Sequence, residues 1–457
     1  MADLAQLVKA YDIRGVVPDQ LDPDLARQVG AAFVELTGAD AVVVARDMRP
    51  SSPALAAAFA EGATGRGADV VDAGLGSTDY LYYASGALDL PGAMFTASHN
   101  PAAWNGIKLC RAGAAPVGQD TGLRQIRAWL EHGLPERSPS GAPGPPARGT
   151  GRVVRRDLLP DYAAYLRRLV DLSGIRRLRV VVDAGNGMAG RTVPVVLAGL
   201  PVDLDALYFE LDGSFPNHEA NPIEPENLVD LQERVRELGA DIGLAFDGDA
   251  DRCFFIDERG EAVSPSAIVA LVAVRELAKH PGSPVVHNVI TSQAVPEIIL
   301  EHGGTPVRTR VGHSFIKQVM AESGAVFGGE HSGHYYFRDF WRADTGMLTA
   351  LHVLAALGEQ DQPLSELVAA YSRYAASGEI NSAVDDVAAV IDRVEGRFRP
   401  AAEEVDRLDG LTVRVPGKRW FNLRPSNTEP LLRLNVEAPD RPAMEALRDE
   451  VLAVVRA

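Results

Sequence analysis

Three aspartates, Asp247, Asp249 and Asp251, alternate with small residues directly after the apolar run that ends at Phe246. Carboxylates at this spacing on one short segment surround a hard divalent cation, and without one they repel each other. A solvated acidic turn is the plain alternative, but the segment is flanked by apolar runs on both sides rather than by polar ones. Asp247, Asp249, Asp251 and Glu258 also match the first, third, fifth and twelfth positions of an EF-hand loop. Arg252 stands where that loop needs glycine, and strands rather than helices are expected on either side, so the EF-hand is excluded.

The segment TASHNPAAWNGIKL, residues 96–109, places Ser98 and His99 at the end of an apolar strand, with Lys108 ten residues beyond the serine. A serine there can attack phosphorus if its proton has an acceptor and a cation draws charge from the phosphoryl oxygens. It can equally close a turn or cap a helix before Asn100-Pro101. Thr96 and Asn100 occupy the glycine positions of a G-x-S-x-G elbow, which excludes that motif. In GGEHSGH, residues 328–334, Glu330 and Ser332 can hydrogen-bond neighbouring sugar hydroxyls, and His334, or His313 upstream, can move a proton near neutral pH. RPSNTEP, residues 424–430, offers Arg424, Ser426, Asn427 and Thr428, with Arg433 beyond, as a phosphate cradle or as a polar hairpin turn.

Two rival motifs are weaker. An apolar strand followed by Asp-x-Asp resembles the start of haloacid-dehalogenase-type phosphotransferases, which use the first aspartate as nucleophile; Asp251 stands where those enzymes usually carry Thr or Val. DAGNGMAG, residues 183–190, contains a G-x-G-x-x-G after a strand, with Asp203 and Asp205 at a distance suited to a ribose. A tight turn with close helix packing explains those glycines as well, and a dinucleotide enzyme has no use for the aspartate loop.

The elements that must carry these loops follow a repeated β-α-β order. AVVVA at 41–45, a helix over PALAAAFAEGATGRG, ADVVDAG and GAMFTA form the first pass. LRVVVDA at 178–184, helices near RTVPVVLAG and LVDLQERVRELGA, and strands near DLDALYF and DIGLAF form the second. PVVHNVI at 284–290, AVPEIILEHGG, TPVRTRV, SFIKQVMAESG and AVFGG form the third. Ligands gather beyond the carboxyl ends of strands in open α/β sheets, so equivalent polar loops at Ser98, Asp247 and Glu330 are expected to converge. From about residue 375, strands near EINSAV, LTVRV and LLRLNVEA and two helices spell a smaller α+β domain, the latter two strands flanking RPSNTEP. The fold class is therefore α/β: three related α/β domains with mixed sheets and a C-terminal α+β domain. With a Pro, Gly and Ser-rich linker at 138–150, the expected domains are 1–145, 151–256, 257–370 and 371–457.

The bulk properties agree. A chain of 457 residues is about three times a typical domain of about 150. Its net charge of −17 argues against a nucleic-acid partner, because such binding needs clustered cations. The apolar run at 267–274 stops at Arg275, too short for a membrane span, and MADLAQLVKAYDIRG lacks the form of a secretory leader, so a cytoplasmic protein is expected. Two cysteines, Cys110 and Cys253, are expected as reduced thiols. Nothing in the chain implies an obligate protein partner.

Taken in order, TASHNP, DGDADR, GEHSGH and RPSNTEP, with YDIRG at 11–15, resemble the α-D-phosphohexomutase superfamily, in its phosphomannomutase/phosphoglucomutase branch, over nearly the whole chain. The resemblance implies four domains around a central cleft. It implies that Ser98 is the phosphorylated serine, and that Asp247, Asp249 and Asp251 bind Mg²⁺ together with the Ser98 phosphoryl oxygen. It implies Glu330 and Ser332 on the sugar's 3- and 4-hydroxyls, and Arg424, Ser426, Asn427 and Thr428, assisted by Arg433, on the phosphate that is not reacting. Tyr11, Arg14, Lys108, Arg252, His313 and His334 would line the site, with Lys108 and the histidines, His99 among them, as candidates for acid and base.

The implied reaction interconverts mannose 6-phosphate and mannose 1-phosphate, with glucose phosphates also accepted, through a hexose 1,6-bisphosphate. The alternatives are phosphoglucomutase as main activity, a haloacid-dehalogenase-type phosphatase, or a sugar-phosphate-binding protein without turnover. His331 stands where this branch often has methionine and phosphoglucosamine mutases usually have glutamine, which turns the resemblance away from an amino sugar. A lysine of some bacterial members is replaced by Val289 or a neighbour.

Overall fold

The valine-rich strand Ala41–Arg46 sits in the middle of the first sheet, and its four central residues are buried. Burial on both faces is what a parallel strand covered by helices requires. In the computed structural model, which describes residues 4–135, 149–426 and 431–457, the chain divides into two compact units. One comprises residues 1–263 with 333–364, the other residues 264–332 with 365–457.

The first sheet of the first unit runs Ile13–Val16, Trp104–Arg111, Gly92–Phe95, Ala41–Arg46, Asp69–Leu75, Val153–Arg155. The last four strands are parallel, and the first two run antiparallel. Helix Pro23–Thr37 begins where Asp22 accepts from the Leu25 N–H and ends at Gly38 in the left-handed conformation, so both ends carry their sequence signals. It packs with Ser52–Gly65 over one face, where Phe33, Phe59 and Phe95 form part of the core. On the neighbouring stretch, helix Thr78–Leu88 starts from Ser77, whose hydroxyl accepts from the Tyr80 N–H. The second sheet runs Ala262–Val263, Cys253–Ile256, Ile242–Phe246, Leu178–Asp183, Val202–Leu207, the last three parallel and the first two antiparallel. The loop 247–252 therefore closes a hairpin between two largely buried strands, which holds its ends at a fixed separation.

In the second unit, Thr305–Thr309, Pro284–Asn288 and Phe327–Gly329 are parallel. Helix Pro265–Lys279 contains the long apolar run and is buried along most of its length; among the described residues no helix is long and apolar enough to cross a membrane. The C-terminal sheet is antiparallel, in the order Ala375–Ala383, Leu431–Ala438, Arg419–Pro425, Leu411–Val415, Glu404–Asp406. Helices Val387–Phe398 and Arg441–Val455 contribute to its core.

The α/β class with mixed sheets and a C-terminal α+β part is as expected. One strand differs: RPSNTEP is entered from Arg419–Pro425, not from Leu411–Val415. Trp420, Phe421 and Leu423 do not alternate cleanly with polar residues, and Pro425 ends the run, so period-two patterning gave no signal there. The linker at 138–150 lies mostly outside the described residues. Cys110 and Cys253 are buried free thiols.

Candidate active site

Ser98 lies in the loop between Gly92–Phe95 and Trp104–Arg111 and adopts φ 52°, in the left-handed region that a residue with a side chain rarely enters. Surrounding bonds hold it there. Its N–H donates to Thr96 Oγ1 at 2.9 Å. The guanidinium of Arg49, fully buried, donates to four carbonyls of the same loop: Ser98 and Trp104 at 2.9 Å, Pro101 at 2.9 Å and Asn100 at 2.6 Å. Asp47 balances the guanidinium's charge. Arg14 reaches the loop from the strand Ile13–Val16, donating to Asn100 Oδ1 at 2.5 Å and to the Ala97 carbonyl at 3.4 Å. Tyr11, just before that strand, is half-buried.

So held, the Ser98 hydroxyl donates to Asp247 Oδ2 at 2.8 Å, with His99 Nδ1 at 3.1 Å as a second neighbour. Burial and the charges of Arg252 and Arg14 keep His99 well below the usual histidine value, so the ring is neutral. The loops also meet through their backbones: a Cβ at Gly248 would fall 2.5 Å from the Ser98 carbonyl oxygen, and one at Gly187 would fall 2.7 Å from that of Gly248. The second contact gives the G-x-G-x-x-G segment its role as a tight turn under the aspartate loop.

Asp247, Asp249 and Asp251 are all buried, and one ligand atom from each lies within 4.8 Å of the others. Asp247 takes the Arg252 N–H at 3.2 Å and Arg252 Nε at 2.9 Å. Lys108, on the strand Trp104–Arg111, bridges Asp249 Oδ2 at 2.7 Å and Asp251 Oδ2 at 2.8 Å. Burial pushes the Asp247 carboxyl up, against the pull of Arg252. Burial acts on Asp249 in the same sense, but the charge and hydrogen bond of Lys108 and the hydroxyl of Thr78 more than offset it, and Asp249 lies below the usual carboxylate range. Lys108 is the converse: burial would lower it, and the two aspartates carry it well above the usual lysine value.

Asp249 Oδ1 and Asp251 Oδ1 are buried and have no hydrogen-bond donor among the described residues. Two orphaned carboxylate oxygens in an all-oxygen donor set fit a hard divalent cation. His334 Nδ1 lies 3.1 Å from Asp344 Oδ2 and 3.9 Å from Asp251 Oδ1. Its burial is outweighed by these carboxylates, which raise its pKa.

In the second unit, Glu330 Oε1 accepts from Asn288 Nδ2 and from the Gly312 N–H, both at 3.1 Å, and Ser332 is half-buried. His313 is the first residue of the helix His313–Ser323. Beside Glu330, His331 Nδ1 lies 2.9 Å from Ser266 Oγ. Arg424 and Arg433 stand opposite one another on paired strands, and Glu379 joins them, at 2.7 Å to Arg424 Nη2 and 3.1 Å to Arg433 Nη1. The Ser426 N–H donates to the Leu431 carbonyl at 2.8 Å. Asn427 and Thr428 lie outside the described residues.

The geometry thus gathers Ser98, His99, Lys108, Arg252, His334 and the three aspartates within the first unit, and Arg424 with Arg433 in the second. Sequence reasoning missed Arg49, Thr78, Asp344 and Glu379. Arg49 had a signal, since RDMRPSS follows a buried strand just as the other polar loops do.

A buried serine hydroxyl donating to a cation-suited carboxylate loop on α/β layers is an arrangement that fits an enzyme of phosphoryl transfer. Comparison with known proteins gives the family. Profiles of the phosphoglucomutase/phosphomannomutase alpha/beta/alpha domains I, II and III match residues 5–134, 160–260 and 264–374, and that of the C-terminal domain matches residues 379–454. A phosphomannomutase of Salmonella montevideo is 41% identical over 456 residues, 98% of each chain. A protein of Xanthomonas campestris named phosphohexose mutases is 41% identical over 451 residues, again 98% of each. The crystal structure of a phosphoglucomutase/phosphomannomutase family protein from Burkholderia thailandensis superposes with a TM-score of 0.87 at 33% identity, covering 100% of this chain and 98% of that one. The chain belongs to the phosphoglucomutase/phosphomannomutase family, and it is an isomerase.

Proposed function

We propose that the enzyme interconverts mannose 6-phosphate and mannose 1-phosphate, accepts glucose phosphates as well, and works through a phosphorylated Ser98 and a hexose 1,6-bisphosphate. The observation that carries this reading is the Ser98 hydroxyl, locked by Arg49 and donating to Asp247 Oδ2 at 2.8 Å. In the forward half-reaction the Oγ–P bond of phosphoserine breaks, a bond from phosphorus to the free sugar hydroxyl forms, and that hydroxyl's proton passes to a base. The bisphosphate turns end for end, and the reverse step returns the other phosphate to Ser98, leaving the isomer.

Asp247, Asp249 and Asp251 are the residues that would hold Mg²⁺, which when bound draws charge from the phosphoryl oxygens. His99, held neutral by burial and by the charges of Arg252 and Arg14, resists protonation and is the weaker candidate for the base, while Lys108, kept charged by two aspartates, is suited to supply positive charge rather than to act as a base. His334, raised by Asp344 and Asp251, is suited to donate a proton. Arg252, with Nη2 buried and without a hydrogen-bond partner among the described residues, has a donor to spare for a phosphoryl oxygen. Tyr11, Arg14 and His313 belong to the substrate-lining set. Glu330 and Ser332 would take the sugar's 3- and 4-hydroxyls, and Arg424, Ser426, Asn427, Thr428 and Arg433 the phosphate at rest. Mannose and glucose phosphates differ at C2, which none of these residues addresses, and this supports acceptance of both.

The four-part division at 145–151, 256–257 and 370–371 belongs to the same reading, as does a cytoplasmic setting, which two buried free thiols fit. A mutase assay on native and Ser98→Ala protein tests it, with at least a roughly hundredfold loss expected, the scale of a whole acid-base contribution. Peptide mapping should place the phosphate on Ser98. Turnover intact in Ser98→Ala, or label on Asp247, would overturn the reading.

A further inference from the structure

Asp249 is gripped from a place 171 residues away in sequence. Thr78 Oγ1 donates to Asp249 Oδ2 at 2.5 Å, and the Thr78 N–H donates to the Asp249 carbonyl at 2.9 Å. Lys108 Nζ approaches the same Oδ2 at 2.7 Å. One carboxylate oxygen therefore has two donors, while Oδ1, equally buried, has none among the described residues. A carboxylate turned over about its last torsion looks the same, so an unrestrained Asp249 would exchange its two oxygens at little cost. The two donors on one side remove that symmetry.

Thr78 cannot follow a rotation of Asp249. It is fully buried as the first residue of helix Thr78–Leu88, between Ser77, which caps the helix, and Asp79. Asp79 Oδ2 accepts from Tyr162 OH at 2.7 Å and from Thr345 Oγ1 at 2.6 Å, tying the same turn to two other elements. The hydroxyl of Thr78 is thus a fixed point against which the aspartate is set.

We propose that Thr78 is a positioning residue for the cation site: its hydroxyl engages Asp249 Oδ2 and thereby presents Oδ1 as the oxygen that takes the metal ion. The inference rests on the reading of Asp247, Asp249 and Asp251 as that site. Partners one step behind a metal's ligands fix ligand orientation, and their loss typically weakens metal affinity about 10- to 100-fold. The methyl group of Thr78 has no part in this, so the effect follows the hydroxyl.

Mn²⁺ binding, read directly as free Mn²⁺ by electron paramagnetic resonance, separates the possibilities without reference to turnover. Native protein, Thr78→Ser, Thr78→Val, Thr78→Ala and Asp249→Asn are compared. Thr78→Ser should stay within about threefold of native, while Thr78→Val and Thr78→Ala weaken binding about 10- to 100-fold. If Thr78→Val fails to fold, the Ser and Ala variants make the same comparison. Native affinity in the variants without a hydroxyl, or an equal loss in Thr78→Ser, overturns the proposal while Asp249→Asn still loses the ion. Tight Mn²⁺ binding by Asp249→Asn would overturn the cation-site reading itself, and the role of Thr78 with it.

Discussion

Arg49 Nη2 donates to the carbonyl oxygen of Ser98 at 2.9 Å, so a fully buried guanidinium distant in sequence joins the neighbouring Thr96 hydroxyl in setting the backbone on which the Ser98 hydroxyl is mounted. Removing it leaves Asp47 buried without its ion-pair partner and takes one donor from each of four loop carbonyls.

Arg49→Met should lower stability by about 3–5 kcal/mol, the range for breaking a buried ion pair on one side. Arg49→Lys, keeping the charge but not the fork, should recover only part of it. Thermal melts of the two variants measure this, and a melt of Arg49→Met equal to that of native protein would contradict it.

Chelation should remove activity and lower the melting transition together, because a cation held by three aspartates of the folded chain stabilises that chain by mass action. Returning Mg²⁺ to about 100 times its dissociation constant should restore about 2.7 kcal/mol. Melting curves that coincide with and without Mg²⁺ would argue against a cation at these carboxylates.

Glu330→Gln keeps an oxygen for Asn288 and the Gly312 N–H, so folding should be little changed. A neutral amide is a weaker acceptor for a sugar hydroxyl than a carboxylate. A fall in kcat/KM of about tenfold or more, corresponding to about 1.4 kcal/mol, is expected for mannose and glucose phosphates alike. Unchanged kinetics on both sugars would remove Glu330 from the sugar contacts.

Asp79, behind the aspartate loop, provides a pH test. Burial raises its pKa from 3.8 to about 6, against the hydrogen bonds of Ser77, Thr345 and Tyr162. Between those two values the folded chain holds a proton that the unfolded chain has released, so this group's contribution to stability is full below about pH 4 and lost as pH rises through about 6. The change is about 3 kcal/mol. Asp79→Asn should therefore gain on native protein as pH rises from 4.5 to 7.5, in melts compared pair by pair; a constant difference would mean that Asp79 does not titrate in this window.

The strand-end loops were legible in sequence because polar residues appear abruptly after runs of buried valine, alanine and phenylalanine, and each such loop carries its candidate site residues in a few adjacent positions. Ser98, Asp247, Asp249, Asp251 and Glu330 are of that kind. Arg49 also follows a buried strand, but its carbonyl partners are brought close only by the fold. Thr78 has no such signal, since the cap pattern of Ser77-Thr78-Asp79 accounts for the local helix and conceals the contact with Asp249. Glu379 sits on a strand of mixed polar and apolar residues, where an exposed acid and a bridge between two arginines read alike. Arg419–Pro425 escaped for a related reason: its five central residues, polar and apolar alike, are buried, so alternation was lost.

The space at Gly248 is too small for even one carbon, with the Ser98 carbonyl 2.5 Å from where it would lie. Anyone redesigning this enzyme for another sugar phosphate therefore inherits the two loops as a single part. Libraries that vary one while holding the other would mostly sample misfits, and productive variants should be sought by exchanging both segments at once.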